Sequence, residues 1–131
     1  AAAREVAEET GVRLDVGGLV PWARWLTPEF EPRRYDTYFF LAELPAGQHP
    51  AEPAGSDGEA DRAVWRRPAD AVAEAEAGRL PMLPPTRSVL HDLAGYESVG
   101  SALAAGAGRD LARTVFPRVV YDPDGTPRLV T

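Results

Sequence analysis

The chain has 131 residues, a formal net charge of −6 and no cysteine. This length suits one domain with a modest core, and the lack of thiols excludes disulfides and thiolate zinc sites. The negative charge disfavours nonspecific binding to nucleic acids or anionic membranes, and no apolar run approaches the ~20 residues that span a bilayer. We therefore expect a cytoplasmic protein that binds neither nucleic acid nor membrane.

The first predicted element is a helix that ends at Gly11, because glycine commonly occupies the left-handed position after a helix. Successive helical residues rotate by about 100°, so Glu5, Glu8 and Glu9 fall on one helical face. The chain begins at Ala1 inside this helix, and we therefore expect it to be N-terminally incomplete.

Strand signals occur in residues 12–16, 19–27, 35–44 and 63–66. The first segment alternates apolar and polar residues, and the second is expected to bend at Pro21. The third is rich in aromatic residues and is predicted to be central in its sheet. Residues 29–34 are predicted to form a polar loop. The Pro-, Gly- and Ala-rich residues 45–61 are predicted to form a flexible loop, either a lid or a connector.

Helices are predicted over residues 68–77, 87–93 and 99–105. Pro68 opens the first of them, and Ser98 is a capping residue for the last. Strands at 119–121 and 128–130 flank an Asp-Pro-Asp-Gly turn and predict a terminal hairpin. This order predicts an α/β (α+β) sandwich in one domain, residues 1–131, with a mixed sheet between helical layers.

The three glutamates of the first helix are poorly arranged for helix stability alone. Like charges at i, i+4 cost roughly 0.2–0.5 kcal/mol per pair, and carboxylates in a last turn meet the negative end of the helix dipole. A hard divalent cation would make both interactions favourable, since clustered carboxylates are its preferred ligands. The alternative is an ion pair between Arg4 and Glu8 on a solvated face.

Residues 4–12 resemble the second half of the Nudix box, Arg-Glu-U-x-Glu-Glu-x-Gly-U, where U is a bulky aliphatic residue. The matching positions are Arg4, Glu5, Val6, Glu8, Glu9, Gly11 and Val12. The resemblance implies a Nudix-type α/β/α sandwich with a mixed sheet. It also implies that the first strands, with the Gly and first Glu of the box, precede Ala1.

Residues 22–28 and 32–40 resemble the region after the box in the coenzyme A diphosphatase branch, which is related to the peroxisomal mammalian enzyme. That branch shows a Trp-x-x-Trp-x-Thr-Pro segment followed by an Arg-Phe-Asp-Thr-like strand, and Tyr35 replaces the Phe here. Residues 83–86 also fit a later Pro-Pro segment of the branch. The resemblance implies CoA or acyl-CoA as the leading substrate.

Membership of the Nudix family would imply hydrolysis of a nucleoside diphosphate linked to another moiety, with Mg²⁺ or Mn²⁺ as cofactor. The implied metal ligands are Glu5, Glu8 and Glu9, and the implied catalytic residues are Glu5, Glu9 and Arg4. Relatives differ in the general base, which is either Glu5 or a glutamate from a later loop. Arg4 is expected to orient Glu8 or Glu9.

Several other residues carry a functional and a structural interpretation. Arg33 and Arg34 can grip a phosphate bidentately or carry solvated charge. Glu59 is an extra metal ligand or base, or an exposed acid in a polar loop. Trp22 and Trp25 are expected to pack in the core, with adenine stacking as the alternative.

Other functions stay open at this point. ADP-ribose or a dinucleotide is the alternative substrate, and a catalytically silent nucleotide-binding Nudix domain is the alternative function. The expected partner is a small nucleotide-type molecule, and the resemblance also allows a homodimer.

Overall fold

The computed structural model describes residues 1–51 and 64–131. The first helix, α1, spans Ala2–Thr10 and has no buried residue. Gly11 ends it in the left-handed region with a φ of 73°, and its N–H donates to the Ala7 carbonyl. The predicted helix and its glycine stop are therefore confirmed.

An antiparallel pair of strands follows. β1 spans Val20–Leu26 and β2 spans Asp36–Leu41. Their register shifts between Pro21 and Ala23, and this irregularity confirms the predicted bend because proline cannot donate to the ladder. The intervening loop closes where the Thr27 N–H donates to the Tyr35 carbonyl.

The predicted central position of β2 is wrong for the described residues. β2 pairs with β1 alone, in a sheet of two strands. Tyr38 and Phe40 on one face of β2 are 45% and 40% exposed. The aromatic side chains predicted to be buried therefore lie partly on the surface, because no described element covers this face of β2.

Two other predicted strands are absent from the described residues. Residues 11–15 form no strand, and a 3₁₀ helix follows at Val16–Gly18, where the Asp15 carboxylate accepts the Gly17 N–H at 3.1 Å. Capping of this kind outcompetes strand pairing. Residues 64–66 also form no strand; Trp65 is 78% exposed, and Arg66 pairs with Glu74 at 3.0 Å. This segment leads into the next helix.

The three later helices that the sequence predicted are confirmed, although their ends differ from the predicted ones. α2 spans Pro68–Glu76, α3 spans Pro84–Leu93 and α4 spans Val99–Ala107. α3 begins earlier than predicted because two prolines fit its first turn, where no backbone N–H is needed. Ser98 and the third residue of α4, Ser101, form a reciprocal capping box.

The terminal hairpin is confirmed. β3 spans Arg118–Tyr121 and β4 spans Pro127–Val130, paired antiparallel. Gly125 adopts a φ of 84° in the turn. Just before β3, a single parallel bridge joins Val115 to Trp25. The mixed α/β class predicted from the sequence is therefore confirmed, with small antiparallel sheets in the described residues.

The core includes two tryptophans of β1. The buried apolar residues in the described part of the chain are Val12, Trp22, Trp25, Ala71, Val72 and Ala102. Trp22, which is 2% exposed, meets the ring of Tyr96 edge-on at a centroid distance of 5.5 Å. Both tryptophans therefore belong to the core, as expected. No helix in the described ranges is long and apolar enough to cross a bilayer.

Candidate active site

The glutamates of α1 lie on the surface of the protein. Glu5, Glu8 and Glu9 are exposed, and the helical repeat places them on one face. Arg4 Nη1 contacts Glu8 Oε1 at 3.5 Å, with the two side chains 70% and 61% exposed. The ion pair that the sequence offered as an alternative is therefore present.

The charge on α1 is not balanced within the helix. No basic residue occupies its last turn, although that is where cations interact favourably with the helix dipole. Arg4 pairs with one carboxylate only, so Glu5 and Glu9 have no ion-pair partner among the described residues. The exposed face of α1 is therefore a concentrated negative surface, suited by its charge to a cation.

The donor atoms of this face suit a divalent metal ion, but their arrangement does not gather them around one point. Carboxylate oxygens are the ligands that Mg²⁺ and Mn²⁺ prefer, so the chemistry of the donor set fits. Within residues 1–51 and 64–131, however, no three acidic or histidine side chains converge closely enough to hold an ion. The structure thus brings the three glutamates to one face without gathering them into one coordination group. Glu59 lies outside the described residues.

A short segment is tied to the C-terminal end of α1. The Ala51 N–H donates to the Thr10 carbonyl at 2.8 Å. The Gln48 side chain accepts the Arg13 N–H at 2.7 Å and donates to the Arg13 carbonyl at 3.0 Å. Residues 45–51 contain no helix or strand, and the rest of the predicted loop, residues 52–61, lies outside the described residues. The sequence did not indicate the Gln48 contact. The Gln48 side chain bonds both the N–H and the carbonyl of Arg13, as a neighbouring strand would, and residue pattern does not predict such a contact.

The two arginines predicted to bind phosphate lie in the exposed loop between β1 and β2. Arg34 donates from Nε to the Thr27 carbonyl at 3.2 Å, and its guanidinium lies 5.7 Å from the centre of the Phe116 ring. Within the described residues, neither Arg33 nor Arg34 is joined to α1 by a hydrogen bond or ion pair. The structure therefore does not bring them together with the glutamates.

Arg109 was not among the residues predicted to be functional. Its guanidinium lies 3.7 Å from the centre of the Trp22 ring, and its Nη1 donates to the Trp22 carbonyl and to Asp92 Oδ2. Arg109 and Trp22 are 87 residues apart in the chain. No local pattern could have indicated this contact, because only tertiary folding brings the two residues together.

Asp36 and Arg24 form the best-aligned ion pair of the hairpin. Arg24 donates to the two carboxylate oxygens at 2.8 and 2.7 Å. These hydrogen bonds, opposed by partial desolvation, hold the pKa of Asp36 below its usual value of 3.8. The pair links adjacent strands of the hairpin.

We expect this pair to make stability depend on pH in acid. The folded state lowers the pKa of Asp36, so its contribution is present above the unfolded-state pKa and is lost as pH falls through the folded-state pKa. In urea unfolding, the free energy of unfolding of Asp36→Asn should therefore fall furthest below that of wild type near pH 6. The difference should shrink below pH 4. Arg24→Gln should reproduce the trend. A deficit that does not change with pH would show that the pair has no such role.

The family of this chain follows from a comparison with models of known protein families. A family model described as NUDIX domain matches residues 1–86, which is 86 of the 131 residues and includes α1. The chain belongs to the Nudix family. Neither the characterised proteins nor the solved structures with which the chain was compared gave a match.

Nudix enzymes are hydrolases that act on phosphoric anhydrides. Family membership therefore makes this chain a hydrolase of the nucleoside diphosphate type, with small nucleotide-derived substrates. Nudix hydrolases generally use divalent metals such as Mg²⁺ or Mn²⁺. The recognition of residues 4–12 as part of a Nudix box agrees with this assignment.

Proposed function

We propose that this Nudix hydrolase cleaves a nucleoside diphosphate linked to another moiety, with CoA or acyl-CoA as the leading substrate and Mg²⁺ or Mn²⁺ as cofactor. The observation that carries the proposal is the exposed face of α1 that Glu5, Glu8 and Glu9 share, in the helix that ends at the Gly11 cap. A functional role explains why Glu8 and Glu9 stand in the last turns, where the helix dipole does not favour carboxylates, with Glu5 one turn earlier on the same face.

The residues of α1 have distinct proposed roles. Glu5, Glu8 and Glu9 would hold the metal, with Glu9 as the principal ligand, and Arg4 would restrain Glu8 through their 3.5 Å contact. A bound Mg²⁺ or Mn²⁺ supplies positive charge for the phosphoryl oxygens and lowers the pKa of a bound water. The general base is Glu5 or a later glutamate, for which Glu59 is the candidate.

The choice of CoA rests on the resemblance of residues 22–28, 32–40 and 83–86 to the CoA diphosphatase branch. The first of these segments coincides with β1 and its exit, and the last opens α3. Trp22 and Trp25 are buried in the core, so these two positions support the fold of this chain. ADP-ribose or a dinucleotide is the alternative substrate.

The test is hydrolysis by the whole encoded protein. CoA, ADP-ribose and a diadenosine polyphosphate are each incubated with Mg²⁺, with Mn²⁺ and with excess EDTA, and the products are identified by mass spectrometry. We expect CoA to be split into phosphopantetheine and adenosine 3′,5′-bisphosphate only when a divalent metal is present. Faster cleavage of ADP-ribose or the dinucleotide would replace CoA as the substrate. Nucleotide binding without any turnover would replace the enzyme with a catalytically silent binding domain.

A further inference from the structure

A cleft lies beside the core strand on the side formed by the C-terminal part of the chain. It has a volume of about 950 Å³ and is bounded by β1, α3, residues 108–118 and the end of β4. This volume is typical of sites that bind small molecules. Much of the lining falls after residue 86, outside the part of the chain that matches the Nudix family.

The lining of the cleft is positively charged, although the chain as a whole carries a net charge of −6. Its charged side chains are four arginines and two aspartates, namely Arg24, Arg109, Arg113, Arg118, Asp92 and Asp110. An excess of one sign of charge in the lining of a cleft raises the local concentration of ligands of the opposite sign. The ligand favoured by this lining is therefore an anion.

Two of the four arginines are already engaged. Arg24 is bound by Asp36 through two hydrogen bonds, and Arg109 is bound by Asp92 at 3.1 Å. Their charges are largely neutralised by these partners, and Arg109 is also held over the ring of Trp22. These two side chains form the wall of the cleft and leave the ligand-binding charge to the other two.

Arg113 and Arg118 form no ion pair with any residue in the described ranges, and both are exposed. Asp110, the acid nearest to them in the sequence, uses Oδ1 to accept the Ala112 N–H at 2.8 Å. Asp110 keeps its charge in the lining, but no ion pair joins it to Arg113 or Arg118, so the two guanidinium groups can bind a ligand. Guanidinium groups bind phosphate oxygens through paired, charge-assisted hydrogen bonds.

The backbone that carries these arginines is fixed against β1. The Val115 N–H donates to the Arg24 carbonyl at 2.8 Å, and the Leu26 N–H donates to the Val115 carbonyl at 3.0 Å. Arg113 precedes this anchor and Arg118 follows it. Because ordering a flexible segment reduces affinity, a segment that is already fixed favours binding.

A further arginine lies at the rim of the cleft. The ring of Phe116, which lines the cleft, has the guanidinium of Arg118 at 6.0 Å and that of Arg34 at 5.7 Å from its centre. Arg34, which the sequence associated with phosphate, is thus placed beside this cleft and carries no acidic partner among the described residues. The ring brings two cations toward one side of the cleft.

We propose that this cleft binds the diphosphate group of a small organic anion through Arg113 and Arg118, at a site that needs no metal ion. The proposal is independent of the metal site on α1, because it rests on residues of the C-terminal segment. A diphosphate suits the lining better than a single carboxylate does, since it offers enough oxygens to engage both guanidinium groups.

The test is calorimetric titration of the whole protein with inorganic pyrophosphate and with ADP, both in excess EDTA. The informative variant is Arg113→Gln/Arg118→Gln, and the matched control is Arg79→Gln/Arg13→Gln, which removes two exposed arginine charges outside the cleft. We expect saturable binding to wild type that weakens by about tenfold or more in the cleft variant. The control should stay within about twofold of wild type, since distant exposed charges are screened by salt.

Each outcome bears on the proposal. Equal losses in the two double variants, or no saturable binding to wild type, would overturn it. Tighter binding of ADP than of pyrophosphate would assign the site to a nucleotide, and equal binding would assign it to the diphosphate group alone. In wild type, amide NMR shifts caused by pyrophosphate should fall in residues 108–118; shifts confined to α1 would also refute the site. Binding by Glu9→Gln should match wild type, which separates this site from the proposed catalytic one.

Discussion

Replacing Glu9 with glutamine should lower the turnover of the diphosphate substrate by about 100-fold or more, because it removes the principal proposed metal ligand. The amide keeps the size of the side chain but loses its charge. Glu9 is exposed on α1, which buries no residue, so the fold should be unaffected. The measurement is kcat/KM with CoA over a range of Mn²⁺ concentrations, together with the thermal midpoint of unfolding.

A matched variant separates the role of Glu9 from that of surface charge in general. Glu43→Gln removes one exposed carboxylate just after β2 and should leave kcat/KM within about twofold of wild type, since distant exposed charges are screened by salt. The unfolding midpoint of Glu9→Gln should stay level or rise slightly, because one negative charge leaves the negative end of the helix dipole. Full activity in Glu9→Gln would remove this residue from the mechanism.

Replacing Gly106 with alanine should destabilise the protein by about 1–3 kcal/mol, the usual cost of overpacking a core. Gly106 is buried where α4 packs on β1. A Cβ at this position would lie 2.5 Å from Val20 Cγ1, 3.2 Å from the Pro21 carbonyl oxygen and 3.3 Å from Trp22 Cε3. The Val20 methyl can move, but the Pro21 backbone and the Trp22 ring belong to the core strand and yield less readily.

The control for this prediction lies in the same helix. A Cβ on Gly100 would meet only the Ser98 hydroxyl, at 4.0 Å. Gly100→Ala should therefore raise the free energy of unfolding by roughly 0.5–1 kcal/mol, because alanine loses less backbone entropy on folding. Urea unfolding of the two variants measures both effects. A similar stabilisation by both substitutions would mean that α4 does not contact β1 through Gly106.

Much of the fold could be predicted from local signals. The end of α1 at Gly11, the capping of α4 by Ser98 and the turn at Gly125 each depend on residues adjacent in the sequence. Such features are decided by backbone conformation and by short-range hydrogen bonds. The predictions of these features were correct because each depends on neighbouring residues.

The wrong predictions share a different cause. Residues 12–16 alternate like a strand, yet Asp15 caps the turn that follows, and residues 64–66 have β-type side chains but no strand beside them among the described residues. A strand exists only where a neighbour completes its hydrogen bonds. Alternation and propensity cannot supply that neighbour, and the exposed aromatic face of β2 illustrates the same limit.

The candidate sites also differ in whether local sequence or tertiary packing determines them. The sequence by itself determined the acidic face of α1, because the helical repeat alone places Glu5, Glu8 and Glu9 together. The tertiary structure alone decided that Arg109 stacks on Trp22 and that the segment around Val115 returns to β1. Contacts between residues far apart in the chain depend on how whole elements pack, and no short stretch of sequence encodes that packing.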